Sequence, residues 1–347
     1  MHFALQDTID REVLKWQTLR HPHFRMSNST RDDLVGKRVL VAGAGGFLGR
    51  HLVRRLVHAG ANVFALSRKV PAISEDGVRW LQADLAELGL AKSVLGQARP
   101  EIVFQLCGHP NGGRDITLVL PTLKSDLLTT VNLLLAAAEN PLKRFVTTAS
   151  LEEPEHDEAP TCPYAVAKMA NGSYTRLFQL LYGVPAVILR PFMTYGPGQP
   201  PTKVISYLIK ALIQGDSPQL SSGDRLVDWI YVDDVIDGFL AATTADGAEG
   251  HTIDLGTGHL VSIRDVADKL TRLTRSVGRP VLGALEDRPF ERIRRADTSV
   301  AHLRLGWQAK VSLDDGLKLT VDWWRKKLAM ETLQPRQPEA SPAVLIP

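Results

Sequence analysis

Residues 37–68 read KRVLVAGAGGFLGRHLVRRLVHAGANVFALSR, in which two apolar runs flank a glycine-rich turn and a stretch of helical periodicity. Three glycines of the turn are spaced three residues apart. Glycine is required where a strand turns tightly, where backbone amides approach a pyrophosphate, and where a helix packs closely on a strand. The helix N-terminus that follows favours negative charge. The stretch therefore predicts a strand–turn–helix–strand unit that binds a dinucleotide at Gly43, Gly46, Phe47, Leu48 and Gly49.

The chain downstream continues this alternation of strands and helices. Short apolar runs, among them VRWLQAD, EIVFQLCG, RFVTTAS and PAVILRP, are separated by stretches such as LKSDLLTTVNLLLAAAEN that have helical spacing. Strands that are apolar on both faces and alternate with helices are typical of a parallel sheet covered on both sides. The sequence predicts an α/β protein with a doubly wound parallel sheet, a Rossmann fold, and a smaller C-terminal substrate-binding lobe.

After about residue 191 the alternation of strands and helices becomes less regular, and prolines and glycines become more frequent. This change sets the predicted domain boundaries. Residues 36–190 form the dinucleotide-binding domain, joined by strand and helix segments from about 229–256. Residues 191–228 and 257–330 form the substrate-binding lobe, which we expect to be mostly helical. An N-terminal extension, 1–35, and a proline-rich disordered tail, 331–347, complete the assignment.

Composition restricts the classes of partner and site. A net charge of +3 is too small to indicate nucleic acid. The sequence has no apolar run of 18 residues and no signal-peptide pattern at its start, so we expect no membrane partner. Two cysteines suggest a reducing compartment, and the cytoplasm is the expected location. No metal is expected, because no His, Cys or Asp cluster has ligand spacing.

The end of the second predicted strand bears on the choice of dinucleotide. An acidic residue there would hydrogen-bond a ribose 2′-hydroxyl and repel a 2′-phosphate. This chain instead has Ser67, Arg68 and Lys69, which suit a 2′-phosphate. NADP is favoured over NAD, although these cations are also compatible with an ordinary solvated loop.

Several motifs, in order, resemble a known family. GAGGFLG, the serine of VTTAS, the YAVAK segment, ILRPFMTYGPGQP and DWIYVDDV together resemble an extended short-chain dehydrogenase/reductase of the nucleotide-sugar epimerase and dehydratase branch. The resemblance extends from about Lys37 to about Trp324. It implies NAD(P) in the N-terminal lobe and a nucleoside-diphosphate sugar between the lobes.

Tyr164 and Lys168 are four positions apart on a predicted helix and therefore share one face. A lysine ammonium and an oxidised nicotinamide both favour the phenolate, so we expect the pKa of Tyr164 to be drawn from about 10 toward neutrality. Such a tyrosine can take a proton from a sugar hydroxyl. The resemblance implies that Ser150 hydrogen-bonds the same oxygen and that Lys168 also holds the nicotinamide ribose.

The residues after Ser150 bear on the reaction class. The resemblance implies an Asp-Glu pair here in most 4,6-dehydratases, but this chain has Leu151 and Glu152. Leucine cannot donate a proton. Glu152 is a candidate base at a carbon next to a ketone, or a solvated charge in an acidic loop beside Glu153 and Glu155.

The resemblance assigns further contacts. It implies that Asp84 and Leu85 contact the adenine, and that Leu106, Cys107 and Gly108 lie along the cofactor. On the substrate side, Met193 stands where the family often has asparagine, and Val227 stands where it has an arginine that binds pyrophosphate. Arg288 matches a second pyrophosphate-binding arginine, and Arg225 shares a strand face with Val227. Helices near 117–139 and 163–182 match those that form a homodimer interface in the family.

Three functions remain open from the sequence. The first is a nucleoside-diphosphate-sugar epimerase or dehydratase that works through a transient 4-keto sugar. The second is an NADPH-dependent 4-ketoreductase of a 4-keto-6-deoxy sugar nucleotide, and the third is a non-catalytic dinucleotide-sensing protein. The intact Ser150, Tyr164 and Lys168 favour an enzyme, and the sequence favours the first function.

Overall fold

The computed structural model describes residues 32–70, 77–155 and 157–333. Residues 1–31 of the predicted N-terminal extension lie outside these residues. The final described helix extends to Leu333, so the first three residues of the predicted tail are helical and the rest lies outside the described part.

Within the described ranges, ten strands form two sheets. Their bounds are β1 Arg38–Ala42, β2 Asn62–Ser67, β3 Val78–Gln82, β4 Ile102–Gln105, β5 Arg144–Thr148, β6 Ala186–Pro191, β7 Met193–Tyr195, β8 Leu226–Tyr231, β9 Thr252–Leu255 and β10 Leu260–Ser262. The larger sheet has the order β3-β2-β1-β4-β5-β6-β9, and all of its pairs are parallel. This confirms the predicted doubly wound fold.

In the described part of the chain, ten α-helices with defined bounds surround the sheets. Their bounds are α1 Phe47–His58, α2 Leu88–Ala98, α3 Val119–Thr122, α4 Thr129–Ala138, α5 Pro163–Tyr182, α6 Val204–Gln214, α7 Val232–Ala241, α8 Ile263–Thr274, α9 Thr298–Leu305 and α10 Leu313–Leu333. A 3₁₀ turn, Ile116–Leu118, precedes α3, and a π-helical segment, Leu123–Leu128, joins α3 to α4.

The large sheet is buried on both faces, and strand β1 shows why. Val39 and Val41 belong to a core shared with α1 and α7, whereas Leu40 and Ala42 belong to a second core shared with α2, α4 and α5. All four side chains are fully buried. Because successive strand residues point to opposite faces, an unbroken apolar run is what a sheet covered on both sides requires.

The later part of the chain contributes a second sheet as well as helices. Strand β8 pairs in parallel with β7 and antiparallel with β10. The segment 229–256, which the sequence analysis joined to the dinucleotide-binding domain, is divided between the two sheets. Its helix α7 packs on α1, and its strand β9 extends the large sheet. Its first residues are the end of β8 and pair in the small sheet. The buried carboxylate of Asp228 accepts hydrogen bonds from the backbone amides of Thr257, Gly258 and Ala296, which fastens the C-terminal segment to β8.

Among the described residues, one helical stretch, Ile116–Ala138, is long and apolar enough to cross a membrane by length and composition alone. Its C-terminal part, α4, packs against α2 and α5 and contributes Leu133 and Leu134 to the core. Packing of this kind explains the apolar composition without a membrane.

Candidate active site

The glycine turn brings the ends of β1 and β4 into close contact. Gly43 has a φ of +82°, and a methyl group at this position would lie 2.7 Å from the backbone nitrogen of Cys107. A methyl group at Gly49 would lie 2.2 Å from the carbonyl oxygen of Gly43. Only glycine fits at either place. Helix α1 begins immediately after Gly46, which provides no side-chain cap, so the first amides of the helix have no capping side chain.

The other predicted cofactor residues lie at the same edge of the sheet. Ser67 ends β2, and its Oγ would be 3.1 Å from a methyl group at Gly45. Arg68 and Lys69 are exposed beside it. Asp84 and Leu85 follow β3, and Leu106, Cys107 and Gly108 follow β4. The carboxyl ends of four neighbouring strands therefore gather the predicted dinucleotide residues around the glycine turn.

Ser150, Tyr164 and Lys168 meet at the carboxyl end of β5. Helix α5 begins at Pro163, which suits a first helical position, and ends before Gly183 in the left-handed region. This places Tyr164 and Lys168 one turn apart, with Lys168 Nζ 5.8 Å from the centre of the Tyr164 ring. The Ser150 hydroxyl lies near enough to Tyr164 to lower the pKa of the phenol. Lys168 donates to the carbonyl oxygen of Thr148 at 3.2 Å and to its Oγ1 at 2.9 Å.

The chain's own groups hold Tyr164 as a protonated phenol. Burial raises the pKa of Tyr164 above its ordinary value, and the Lys168 ammonium and the Ser150 hydroxyl offset only part of that effect. The expectation of a pKa drawn toward neutrality is therefore not met by the protein groups alone. Burial lowers the pKa of Lys168, but the nearby Tyr164 and Asp126 oxygens reverse this and raise it overall.

Asp126 is a member of this cluster that the sequence analysis missed. Its side chain is fully buried on the π-helical segment, and its Oδ1 lies 3.4 Å from Lys168 Nζ. The carboxylate directly before the apolar stretch LLTTVNLLLAAA was the available signal, because an acidic residue on a buried helix face requires a partner.

The acidic loop after Ser150 is organised rather than solvated. Glu153, treated above as a loop charge, is buried: its Oε1 accepts a hydrogen bond from the Ser150 amide at 2.7 Å, and its Oε2 lies 3.6 Å from Arg190. Glu152 is half-buried, and its Oε1 lies 3.8 Å from Arg225. Leu151 packs against the core.

Two predicted substrate residues share one small pocket, and the third lies apart. Met193 and Arg225 line a pocket together with Leu151 and two arginines, Arg292 and Arg294. These two arginines pair with Glu158 and Glu155 of the acidic loop.

Arg288, the third predicted substrate residue, is exposed outside that pocket. Lys203, which donates to the Pro110 carbonyl at 3.1 Å, has its pKa lowered by burial and then by the charge of Arg288. Arg288 and Lys203 therefore form a second cationic position beside the loop that follows β4.

The remaining reactive groups are accounted for by packing. Burial raises the pKa of the Cys107 thiol to about 12, so Cys107 is a neutral packing residue and not a nucleophile. In the described ranges, no group of three His, Cys, Asp or Glu side chains is arranged to hold a metal ion.

Comparison with known proteins places this site in a wider group. The model of the NAD dependent epimerase/dehydratase family matches residues 39–256. The chain is 28% identical to UDP-glucose 4-epimerase of Mycolicibacterium smegmatis, over 84% of this chain and 99% of that protein. It is 26% identical to dTDP-D-glucose 4,6-dehydratase of Mus musculus, over 89% of this chain and 98% of that protein.

The fold also matches a solved enzyme. The crystal structure of WbmF of Bordetella bronchiseptica, in complex with NAD+ and UDP, superposes with a TM-score of 0.74 at 27% identity, covering 86% of this chain and 95% of that one. Because the family model spans well over half of the sequence, the family is shown: this chain belongs to the NAD-dependent epimerase/dehydratase family.

Proposed function

We propose that this chain is a nucleoside-diphosphate-sugar epimerase or dehydratase that works through a transient 4-keto sugar. One observation carries the proposal: Ser150, Tyr164 and Lys168 meet beside the glycine turn, at the edge of the sheet where α/β proteins bind their ligands. The related proteins are an epimerase and a dehydratase, which supports this function over a 4-ketoreductase. The intact site supports catalysis over a non-catalytic sensor.

The residues at the glycine turn fit a nicotinamide dinucleotide. Side chains are excluded at Gly43 and Gly49, and the uncapped N-terminus of α1 offers amides to a pyrophosphate. Asp84 and Leu85 would flank the adenine, and Leu106, Cys107 and Gly108 would lie along the nicotinamide half. When bound, the nicotinamide supplies the hydride acceptor and donor for the carbon at C4.

Side chains of the protein transfer the proton from and to the C4 oxygen. Tyr164 must first lose its phenol proton to solvent; as the phenolate it takes the hydroxyl proton as the ketone forms and gives it back as the alcohol is restored, acting as general base and then general acid. Ser150 hydrogen-bonds the same oxygen and keeps it in line with the phenol. Lys168 provides a fixed positive charge next to both.

Epimerisation is favoured over dehydration. Elimination across C5 and C6 requires an acid to protonate the departing hydroxyl, and Leu151 provides none at the position where dehydratases place it. Leu151 instead packs against the core beside Met193, and Glu152 faces Arg225. A dehydratase remains the second candidate, because Glu152 is close enough to Ser150 for its amide to donate to Ser150 Oγ at 3.2 Å.

A UDP-sugar is the proposed substrate. The cationic groups around the cleft, Arg225 near Met193 and Arg288 near Lys203, suit a diphosphate, which is bound best by planar guanidinium groups. The WbmF complex contains UDP, and this supports the same base here.

We infer that NADP is preferred over NAD. Ser67 lies against the glycine turn with exposed Arg68 and Lys69 next to it, and no carboxylate from β2 opposes a 2′-phosphate. The two free cysteines are in keeping with the reducing cytoplasm as the proposed location.

A homodimer is proposed through the helical face formed by the Ile116–Ala138 stretch and α5. These two helices pack side by side and leave large apolar side chains exposed: Ile116, Leu120, Leu180, Leu181 and Tyr182. Large apolar side chains left exposed on two packed helices favour an interface.

Denaturing the purified protein should release nearly one equivalent of oxidised NAD+ or NADP+ per chain. An epimerase or dehydratase returns its hydride within each turnover and therefore retains the nucleotide. Chromatography with mass spectrometry identifies what is released. An empty protein that takes up NADPH and reduces a 4-keto-6-deoxy sugar nucleotide would instead establish the ketoreductase.

Tyr164→Phe should lower kcat for conversion of UDP-glucose to its C4 epimer by about 10²- to 10⁴-fold, because it removes the proton carrier. Tyr174→Phe, on the exposed side of the same helix, is the matched control and should keep wild-type turnover. Product is measured by chromatography of the nucleotide sugars. Wild-type turnover in Tyr164→Phe would exclude the proton-transfer role.

Ser67→Asp should shift the preference from NADP toward NAD by at least about tenfold in the ratio of their dissociation constants, because a carboxylate repels the 2′-phosphate and binds the ribose hydroxyls. Both constants are measured by titration calorimetry on nucleotide-free protein. Ser93→Asp adds the same charge to the exposed face of α2 and should leave the ratio unchanged.

Leu180→Glu should convert the dimer into monomers, since it buries a carboxylate in the proposed apolar interface. Sedimentation velocity measures the change. Leu303→Glu is the matched control, because Leu303 is 79% exposed on α9, close to the 76% of Leu180, and it lies away from the two interface helices. A wild-type chain that sediments as a monomer would exclude the homodimer.

A further inference from the structure

A buried carboxylate accompanies the buried lysine of the active site. Asp126 is fully buried and Lys168 is only 3% exposed, and Asp126 Oδ1 lies 3.4 Å from Lys168 Nζ. Neither charge can be neutralised by water at this depth, so each requires the other. The carboxylate comes from the π-helical segment Leu123–Leu128, an irregularity that often occurs at functional sites.

Lys168 has two kinds of partner. Its ammonium donates hydrogen bonds to the backbone oxygen and Oγ1 of Thr148, at 3.2 and 2.9 Å. Its contact with Asp126 Oδ1, at 3.4 Å, is an ion pair without a hydrogen bond. Lys168 is thus held between the end of β5 and the π-helical segment.

The other oxygen of Asp126 contacts the loop that follows β4. Its Oδ2 accepts hydrogen bonds from the His109 amide at 2.8 Å and from Ser125 Oγ at 2.9 Å, and a methyl group at Gly108 would lie 2.5 Å from Oδ1. An asparagine could accept the same two bonds through its amide oxygen. The fold therefore needs an oxygen acceptor at this position, while the charge is an additional feature that acts on Lys168 and Tyr164.

We propose that Asp126 is the counter-ion of Lys168 and a positioning residue of the proton-transfer site, which holds the ammonium in place and cancels much of its field at Tyr164. Tyr164 consequently rests as a proton-bearing phenol until an oxidised dinucleotide and a sugar are both bound. The use of that phenol in turnover rests on the proposed function, whereas the electrostatic coupling does not.

The surroundings of Tyr164 agree with this arrangement. Lys168 faces it from its own helix, Asp126 from the π-helical segment, and Ser150 and Glu153 from the loop after β5. Burial and the two carboxylates raise the pKa of Tyr164, while Lys168 and Ser150 lower it. Removing the Asp126 charge takes away a group that itself raises the pKa of Tyr164. Because the Thr148 oxygens and Tyr164 still hold the Lys168 ammonium, we expect the pKa of Tyr164 to fall.

Asp126→Asn tests the coupling without any sugar substrate. The ionisation of Tyr164 is followed by the ultraviolet absorbance of tyrosinate, with Tyr164→Phe in each background as the blank. We expect Asp126→Asn to lower the midpoint by about one pH unit, the usual size of the effect of a nearby buried charge. Asp115→Asn removes an exposed carboxylate at the start of the same helical stretch, keeps its capping oxygen, and should not move the midpoint.

A purely structural role predicts a different pattern. It would leave the midpoint of Asp126→Asn at the wild-type value, because the amide oxygen still accepts from His109 and Ser125, and this result would overturn the proposal. If Asp126→Asn does not fold, Asp126→Ser keeps an oxygen at this position, and the same lowered midpoint is expected.

The pH dependence of kcat provides an independent readout. Once a substrate is known, the midpoint of the limb of the kcat profile that reports ionisation of the base can be measured. We expect this midpoint to lie lower in Asp126→Asn, by the same amount as in the tyrosinate titration. A structural defect would instead lower kcat at every pH and leave the midpoint unchanged. The two proposals fail separately: a protein that releases no dinucleotide and turns over no sugar refutes the proposed function, while the tyrosinate titration still decides the role of Asp126.

Discussion

The absence of a side chain at Gly43 is the constraint on which the cleft depends. Strand β1 has β2 on one side and β4 on the other, so the connections from its two neighbours leave in opposite directions and open a crevice at its carboxyl end. The loop after β4 approaches so closely that a methyl group at Gly43 would meet the backbone at 2.7 Å. Any other residue would move Leu106 and Cys107, and with them the wall along which the dinucleotide is proposed to lie.

A second constraint is the burial of charge at the floor of the same crevice. An unpaired ammonium in the protein interior would lose its proton rather than stay charged. Lys168 remains charged because Thr148 and Asp126 surround it with oxygens, and the nearby Tyr164 and Asp126 raise its pKa. The same oxygens lessen its effect on Tyr164. The site therefore balances two requirements, a fixed cation for positioning and a phenol that stays protonated between turnovers.

The sequence predicted those features that depend on local pattern. The strands of the large sheet are readable because they are apolar on both faces, and α5 is readable because Pro163 and Gly183 mark its ends. Tyr164, Lys168 and Ser150 were found by spacing and order. Asp126 and Glu153 were missed, because their burial depends on which helix face and which loop turn inward, and the π-helical segment has no sequence signature. Strand β7, with three residues, was too short for periodicity to reveal.

The acidic loop links the substrate end of the cleft to this proton-transfer site. It begins at Ser150, and its carboxylates already pair with Arg225, Arg292 and Arg294. On the proposed function, a diphosphate that enters the cleft replaces the Glu152 carboxylate beside Arg225. Arg225 therefore passes from one anionic partner to another, and no fully hydrated guanidinium has to lose its water. Such an exchange costs affinity but holds the guanidinium in position beforehand. Glu153 of the same loop accepts the Ser150 amide, so the loop that brings Glu152 to Arg225 also fixes the backbone of Ser150 at the proton-transfer site.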